Sequence, residues 1–257
     1  MPRTTVLLFI IFLQVVFVYI FLDRAEKRTA PIAGQFTVYK PKPQPPLIKE
    51  EKPIERVGEK IVYAVTMGKV SLGQAVFTHL APAQLNGKKV SLMSFETKLV
   101  RFRDRETIYS DSDSFLPLRV ERKISSWPIL EKITEDYDQE KFILTIRKNK
   151  GGKDAEFIVR KNSPIHNAII LPFYVRKMDN LGPGWQMTVN LPTRQFQIKL
   201  ISIEEIKIPA GTFKAYRFES NPKRFEIWLS ADERKIPLKI KGAGAFGYTL
   251  IMKEYSL

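Results

Sequence analysis

The chain has 257 residues, no cysteine, two histidines and a formal charge of +15. The missing thiols exclude disulfides, cysteine nucleophiles and cysteine–zinc sites, and they leave the redox compartment open. With 44% hydrophobic and 27% charged residues the composition is that of a globular domain, and the basic excess favours anionic partners: acidic lipid, nucleic acid or another polyanion. The excess is not confined to a tail. Residues 1–56 hold 9 Lys and Arg against 5 Asp and Glu, which leaves 33 basic and 22 acidic residues, a net of +11, in the remainder.

Residues 1–24 predict a membrane anchor. From Val6 to Leu22 only Gln14 is strongly polar. As a helix those residues would cover about 26 Å, just short of the roughly 30 Å hydrocarbon core. Val6, Leu7, Leu8, Phe9, Ile10, Ile11, Phe12, Leu13, Val15, Val16, Phe17, Val18, Ile20, Phe21 and Leu22 form its apolar wall. Tyr19, Arg3, Asp23 and Arg24 stand at its interfaces. The rival is a cleaved signal peptide, with export of a soluble domain. Ala30 is followed by Pro31, and Ala33 lies two residues after Pro31, so neither offers a good cleavage site. Arg24, Lys27 and Arg28 follow the span against Arg3 before it, and by charge alone this favours a cytoplasmic C-terminal side.

Residues 25–56 read as a linker. Pro31, Pro41, Pro43, Pro45, Pro46 and Pro53 alternate with Lys and Glu, and proline fixes φ and removes donors, so neither helix nor sheet runs through. An extended spacer from Gln35 to Arg56 reaches about 68 Å at most.

Residues 57–257 form the predicted domain, mainly β with one short helix. Lys60–Met67, Lys89–Leu99, Lys141–Lys148, Ala155–Lys161, Gln195–Ile203, Phe213–Ser220, Arg224–Ser230 and Lys235–Lys241 are short β-branched and aromatic runs of period two. Turn signals separate them at Asn86-Gly87, Asn149–Gly152, Pro209–Gly211, Asn221-Pro222 and Asp232-Glu233, the rhythm of an antiparallel meander. The helix is expected from Ser163 as cap and Pro164 as first residue, with Ile165, Ile169, Ile170 and Phe173 on one face. Pro172 should kink or divide it, and Gly182 and Gly184 close the region.

Several motifs invite chemistry. Gly242, Gly244 and Gly247 spell G-x-G-x-x-G, but only ten residues follow, too few for a crossover helix and a second strand. Those residues alternate, Tyr248, Leu250 and Met252 on one side, so the glycines predict a hairpin. Asp111 and Asp113 resemble the start of a calcium loop, yet Phe115 fills the next ligand position and the turn glycine is absent, which points to a strand-end turn. Glu135, Asp136, Asp138 and Glu140 could pair for acid–base work only if burial separates them. His79 and His166 have no partner at helical spacing and read as structural. Trp127, Trp185 and Trp228 could line an apolar cavity, or more simply fill the core. Basic–aromatic alternation in Thr212–Phe218 and Lys223–Leu229 is compatible with nucleic acid, which a membrane-anchored envelope domain would not meet. No nucleophile elbow, Walker loop, cofactor motif or metal set is present.

The stretches Ile206–Glu219 ("IKIPAGTFKAYRFE"), Phe225–Ile240 ("FEIWLSADERKIPLKI") and Gly247–Tyr255, together with the opening Val57–Ala75 ("VGEKIVYAVTMGKVSLGQA"), resemble a bacterial envelope family known as domain of unknown function 3108. The resemblance covers Gly58 to Leu257 and carries no catalytic signature. It implies an exported domain and, by looser analogy, a curved antiparallel sheet or half-barrel wrapped around a helix and an apolar concavity, as in lipoprotein carriers. Members carry a cleavable signal, and the long apolar span here departs from that. The resemblance outweighs the charge asymmetry, so the domain is expected on the periplasmic side of the inner membrane. Two functions follow: a tethered module that binds an apolar or lipid-like ligand or an anionic envelope component, and a scaffold that docks onto envelope machinery without a small ligand. An enzyme has no motif behind it.

Overall fold

In the computed structural model the described residues are 56–126, 128–242 and 247–257, and the predicted anchor, most of the linker, Trp127 and Gly244 lie outside them. Among the described residues no helix is long and apolar enough to cross a membrane.

Fourteen strands follow in chain order. They are β1 (Lys60–Met67), β2 (Val70–Leu85), β3 (Lys88–Leu99), β4 (Phe102–Ser110), β5 (Pro117–Ser126), β6 (Ile129–Asp138), β7 (Ile143–Lys150) and β8 (Lys153–Arg160). After the single helix α1 (Leu171–Arg176) come β9 (Gln186–Asn190), β10 (Gln195–Ile208), β11 (Gly211–Asn221), β12 (Phe225–Ser230), β13 (Pro237–Gly242) and β14 (Tyr248–Ser256). They form one antiparallel sheet, open and curved, in the order β8 to β1 and then β14 to β9. Every neighbouring pair is a hairpin except β1–β14, which joins the two ends of the domain from Lys60↔Ser256 to Met67↔Tyr248.

Alternation sends one row of side chains across a single face. Register places Ile61 opposite Phe77, Phe77 opposite Phe95, Phe95 opposite Glu106, Glu106 opposite Arg122 and Arg122 opposite Ile133. The row is apolar at the centre of the sheet and becomes charged towards β4 and β5. Its apolar part belongs to a large core with Tyr63, Met93, Ile108, Leu144 and Met252. A second cluster packs Leu171 and Val175 of α1 against Val189, Ile198, Phe218, Ile227 and Leu229. Strand β12 is therefore buried on both faces: Ile227 and Leu229 enter the second cluster and Trp228 the first.

The helix differs from expectation. Ser163 does not cap it and Pro164 does not start it. The helix begins at Leu171 with Ile170 as cap residue, and Pro172 sits in its first turn, where a missing N–H costs nothing. Residues 163–167 form no helix, and their polar groups are taken elsewhere. Gln139 Nε2 donates to the carbonyls of Ile165 (2.9 Å) and Pro117 (2.8 Å), while its Oε1 accepts from Ile165 N (2.9 Å). His166 N donates to Asn190 O at 2.7 Å, and Ser163 Oγ accepts from Asn190 Nδ2. The segment thus ties the β6–β7 turn to edge strand β9. At the far end of α1, Arg176 grips Glu59 through two bonds of 2.6 and 2.8 Å, which fixes the helix to the start of β1.

Asn86 and Gly87, both with positive φ, form the predicted tight turn between β2 and β3. Gly73 answers a different demand. It sits at a register shift in β1–β2 pairing, and a Cβ there would meet Lys98 O at 2.1 Å. Gly73→Ala is expected to cost about 1–3 kcal/mol by overpacking, measured as a lower urea midpoint; an unchanged midpoint would show that β2 and β3 do not approach this closely.

Candidate functional site

The charged end of the inward row comes from β4, β5 and β6. Asp104, Glu106 and Ile108 share one face of β4, and their partners Ile124, Arg122 and Val120 share the same face of β5. Arg122 lies between the carboxylates: its Nη2 is 2.5 Å from Asp104 Oδ2 and its Nε is 3.3 Å from Glu106 Oε1. Asp104 and Glu106 are buried, and Tyr137 donates to Glu135 at 2.5 Å beside them. Nearby, Glu131 faces Lys148 at 2.6 Å and Lys150 at 3.7 Å.

Burial pushes the Glu106 carboxyl up to about 8; the Arg122 charge pulls the other way, and Asp104 and Glu135 push it up further. Glu135 is raised too, by burial, against the hydrogen bond from Tyr137 and the charge of Arg122. Burial and then Glu106 lift the Tyr248 phenol to about 12, against the pull of Arg122. Three carboxyls share one guanidinium, so protonation and ion pairing are coupled within the cluster.

The sequence candidates separate. Glu135 points inward, whereas Asp136 faces out and binds Arg119 (2.7 Å) and Arg147 (2.6 Å). Asp138 accepts the backbone N–H groups of Glu140 and Lys141 and shapes the β6–β7 turn, with Glu140 exposed. Asp111 spends its Oδ1 on the N–H groups of Asp113 and Ser114 and on Ser114 Oγ. Lys177 Nζ takes the Ser112 and Asp113 carbonyls, so a turn and an ammonium occupy the groups a calcium ion would need. Among the described residues no cluster could hold a metal ion. His79 Nε2 lies 2.8 Å from Ser91 Oγ. His166 Nδ1 accepts from Asn190 N at 3.2 Å, and burial lowers its pKa. Trp185 packs edge-on against Phe218, while Trp228 donates to Glu204 at 2.8 Å under the cations of Lys239 and Arg217. Gly242 closes β13, which pairs antiparallel with β14, so the glycine motif bridges a hairpin.

Asp104, Glu106, Arg122 and Glu131 escaped the sequence reading. Their signal was present as alternation: Asp104, Glu106 and Ile108 are spaced by two, and so are Glu131, Ile133 and Glu135.

A second feature lies at the ends of the strands. Because the sheet is an up-and-down meander, the turns after β1, β3, β5, β7, β9, β11 and β13 all fall at one end. Those turns carry Lys69, Arg101, Lys150, Lys153, Arg194, Lys223 and Arg224, all exposed, and their sequences contain no Asp or Glu. The hairpins of the opposite end mix Asp111, Asp113, Asp138, Glu140, Asp232 and Glu233 with Lys88, Lys141, Arg234 and Lys235. The basic excess thus has a direction along the strands.

Comparison with known families settles the kinship. The family model described as "Protein of unknown function (DUF3108)" matches residues 62–253. The chain belongs to the DUF3108 family. No curated protein matches it. Among solved structures this DUF3108 chain is similar to a β-barrel-like protein of DUF1849 from Brucella abortus, at 9% identity and TM-score 0.49, covering 78% of this chain and 97% of that one. A protein of YmcC-like fold from Bacteroides fragilis aligns at 10% identity and TM-score 0.30, covering 79% and 97%.

Replacing Arg122 by Met leaves the DUF3108 carboxyl cluster without its guanidinium and is expected to cost about 3–5 kcal/mol at pH 7, read by urea denaturation, and less at pH 5 where carboxyls take up protons. A carboxyl whose folded pKa is raised stabilises the fold fully below its unfolded value, and loses that contribution as pH rises through the folded value. Stability should therefore decline from pH 5 to beyond pH 8, and Glu106→Gln should flatten the decline. A steeper decline in that variant would contradict the assignment.

Proposed function

We propose that this DUF3108 domain is a non-enzymatic binding module of the bacterial envelope that meets its partner at its outer surface, tethered on the periplasmic side of the inner membrane by residues 1–24. The observation behind the surface reading is the state of the concave face. Ile61, Ala75, Met93, Ile108, Leu144, Ala215 and Leu238 are each 0% exposed. A side chain lining a void large enough for water would show accessible surface there, so these seven line no space for a ligand. Phe173 of α1 stacks on Phe77 with ring centroids 3.8 Å apart, placing the protein's own aromatic where a carrier would hold cargo. This favours the docking module over a lipid carrier with an internal site.

The non-enzymatic reading draws on the carboxyl cluster. Its groups are turned inward and engaged with Arg122 and Tyr137. The exported location draws on the apolar N-terminal segment and on family membership.

Native mass spectrometry tests the reading on residues 57–257, cut from the full chain at the proline-rich linker after purification from its own envelope. A bare protein mass is expected, with no lipid carried through purification. A stoichiometric lipid-sized adduct released by organic solvent would replace this reading with the carrier.

A further inference from the structure

We propose that the basic end of the sheet is a docking face for an anionic bilayer, with the β3–β4 hairpin as its inserting tip. This rests on the surface-binding reading above and names the partner. Val100, at the turn of that hairpin, is 92% exposed. It stands between Leu99 and Phe102, ringed by Lys98, Arg101 and Arg103, and with Ser125 these residues line an open groove of about 570 Å³. The neighbouring β5–β6 turn presents Ile129 at 40% and Leu130 at 52%, and the β1–β2 turn presents Val70 at 60%. Exposed apolar tips flanked by cations are the arrangement that enters the boundary between headgroups and acyl chains while Lys and Arg meet lipid phosphates.

The buried charge cluster contributes to this surface. Asp104 is the one acid between Lys98 and Arg105, and it is turned inward onto Arg122. The outward side chains of that stretch are thus basic, with Glu96 as the acid beside them: Lys98, Arg103 and Arg105 lie within 3.2 Å of its carboxylate. Hiding one carboxylate inside and sharing another among three cations leaves the tip positive.

The distribution selects a bilayer over a macromolecule. The apolar side chains stand on three separate turns, whereas a stable protein interface needs about 800 Å² of continuous surface on each partner. A fluid bilayer accommodates separate tips. Single-stranded nucleic acid would be met by stacking aromatics, and among the described residues the large apolar side chains exposed at these turns are aliphatic.

The absence of native cysteine makes the test clean. Val100→Cys in the full chain is labelled with an environment-sensitive fluorophore. The chain is carried in phosphatidylcholine nanodiscs, so that its own apolar segment is occupied, and mixed with vesicles containing brominated acyl chains. Quenching is expected with phosphatidylglycerol vesicles and not with phosphatidylcholine vesicles. The same label at Glu140→Cys, at the opposite end, should stay unquenched, and Leu130→Cys should repeat the Val100 result independently. Adding Arg101→Gln should raise the lipid concentration needed for half-maximal quenching about fivefold, the share of one cation near an anionic surface. No quenching at either tip, equal quenching at Glu140, or binding to vesicles without quenching that DNA or an acidic peptide displaces equally would overturn the proposal. A lipid adduct carried through purification from the envelope would remove the surface reading without altering tip quenching, so the two failures are distinguishable.

Discussion

Pairing between β1 and β14 is the constraint on which the architecture depends. Both outer meanders, β1 to β8 and β9 to β14, are built from local hairpins, and each would otherwise leave an open edge where the core now sits. The pairing of Lys60–Met67 with Tyr248–Ser256 removes those two edges and places the ends of the domain at the centre of the sheet. Two consequences follow without further instruction. The remaining edges, β8 and β9, are bridged by residues 161–185, which hold Asn190 on one side and Gln139 on the other. Strand direction is fixed throughout, so odd-to-even turns collect at one end and the charge of those turns becomes a property of a surface.

The inward row explains how a sheet with so many charged strands still forms a core. Where it crosses β1 to β3 the row is aromatic and aliphatic; where it crosses β4 to β6 it holds carboxyls around Arg122. Such clusters contribute little net stability, since desolvation offsets most of the Coulomb attraction. Their effect is on register. A one-residue slip of β4 would send Asp104 and Glu106 to the outer face and bring Arg103 and Arg105 inward, against Arg122. The charges therefore penalise the wrong pairing more strongly than an aliphatic row would.

Much of the fold was legible in alternation and turn chemistry. The runs Lys60–Met67 and Phe225–Ser230, the Asn86-Gly87 turn and the hairpin behind the glycine motif all stand where period two and turn residues placed them. What escaped follows a physical pattern. Strands β4, β5 and β6 read as polar because their inner positions carry ions, and hydrophobic periodicity cannot register a buried carboxylate. Strand β2 was hidden by Gly73 and Pro82, each at a register shift where the ladder tolerates it. The helix was misplaced because the polar groups of Gln139 and Asn190, far off in sequence, compete for residues 163–167. The basic excess was visible as a number, but the contrast between turns without acids at one end and mixed turns at the other needed the strand order.

A filled concave face and a basic, apolar-tipped end are the two features on which the proposed surface binding rests. The most direct test is a crystal structure determined in the presence of a short-chain phosphatidylglycerol. Phe173 should remain stacked on Phe77 and Arg122 between Asp104 and Glu106, with headgroup density against Lys98, Arg101 and Arg103. Acyl-chain density between the sheet and α1, with Phe173 displaced, would contradict it.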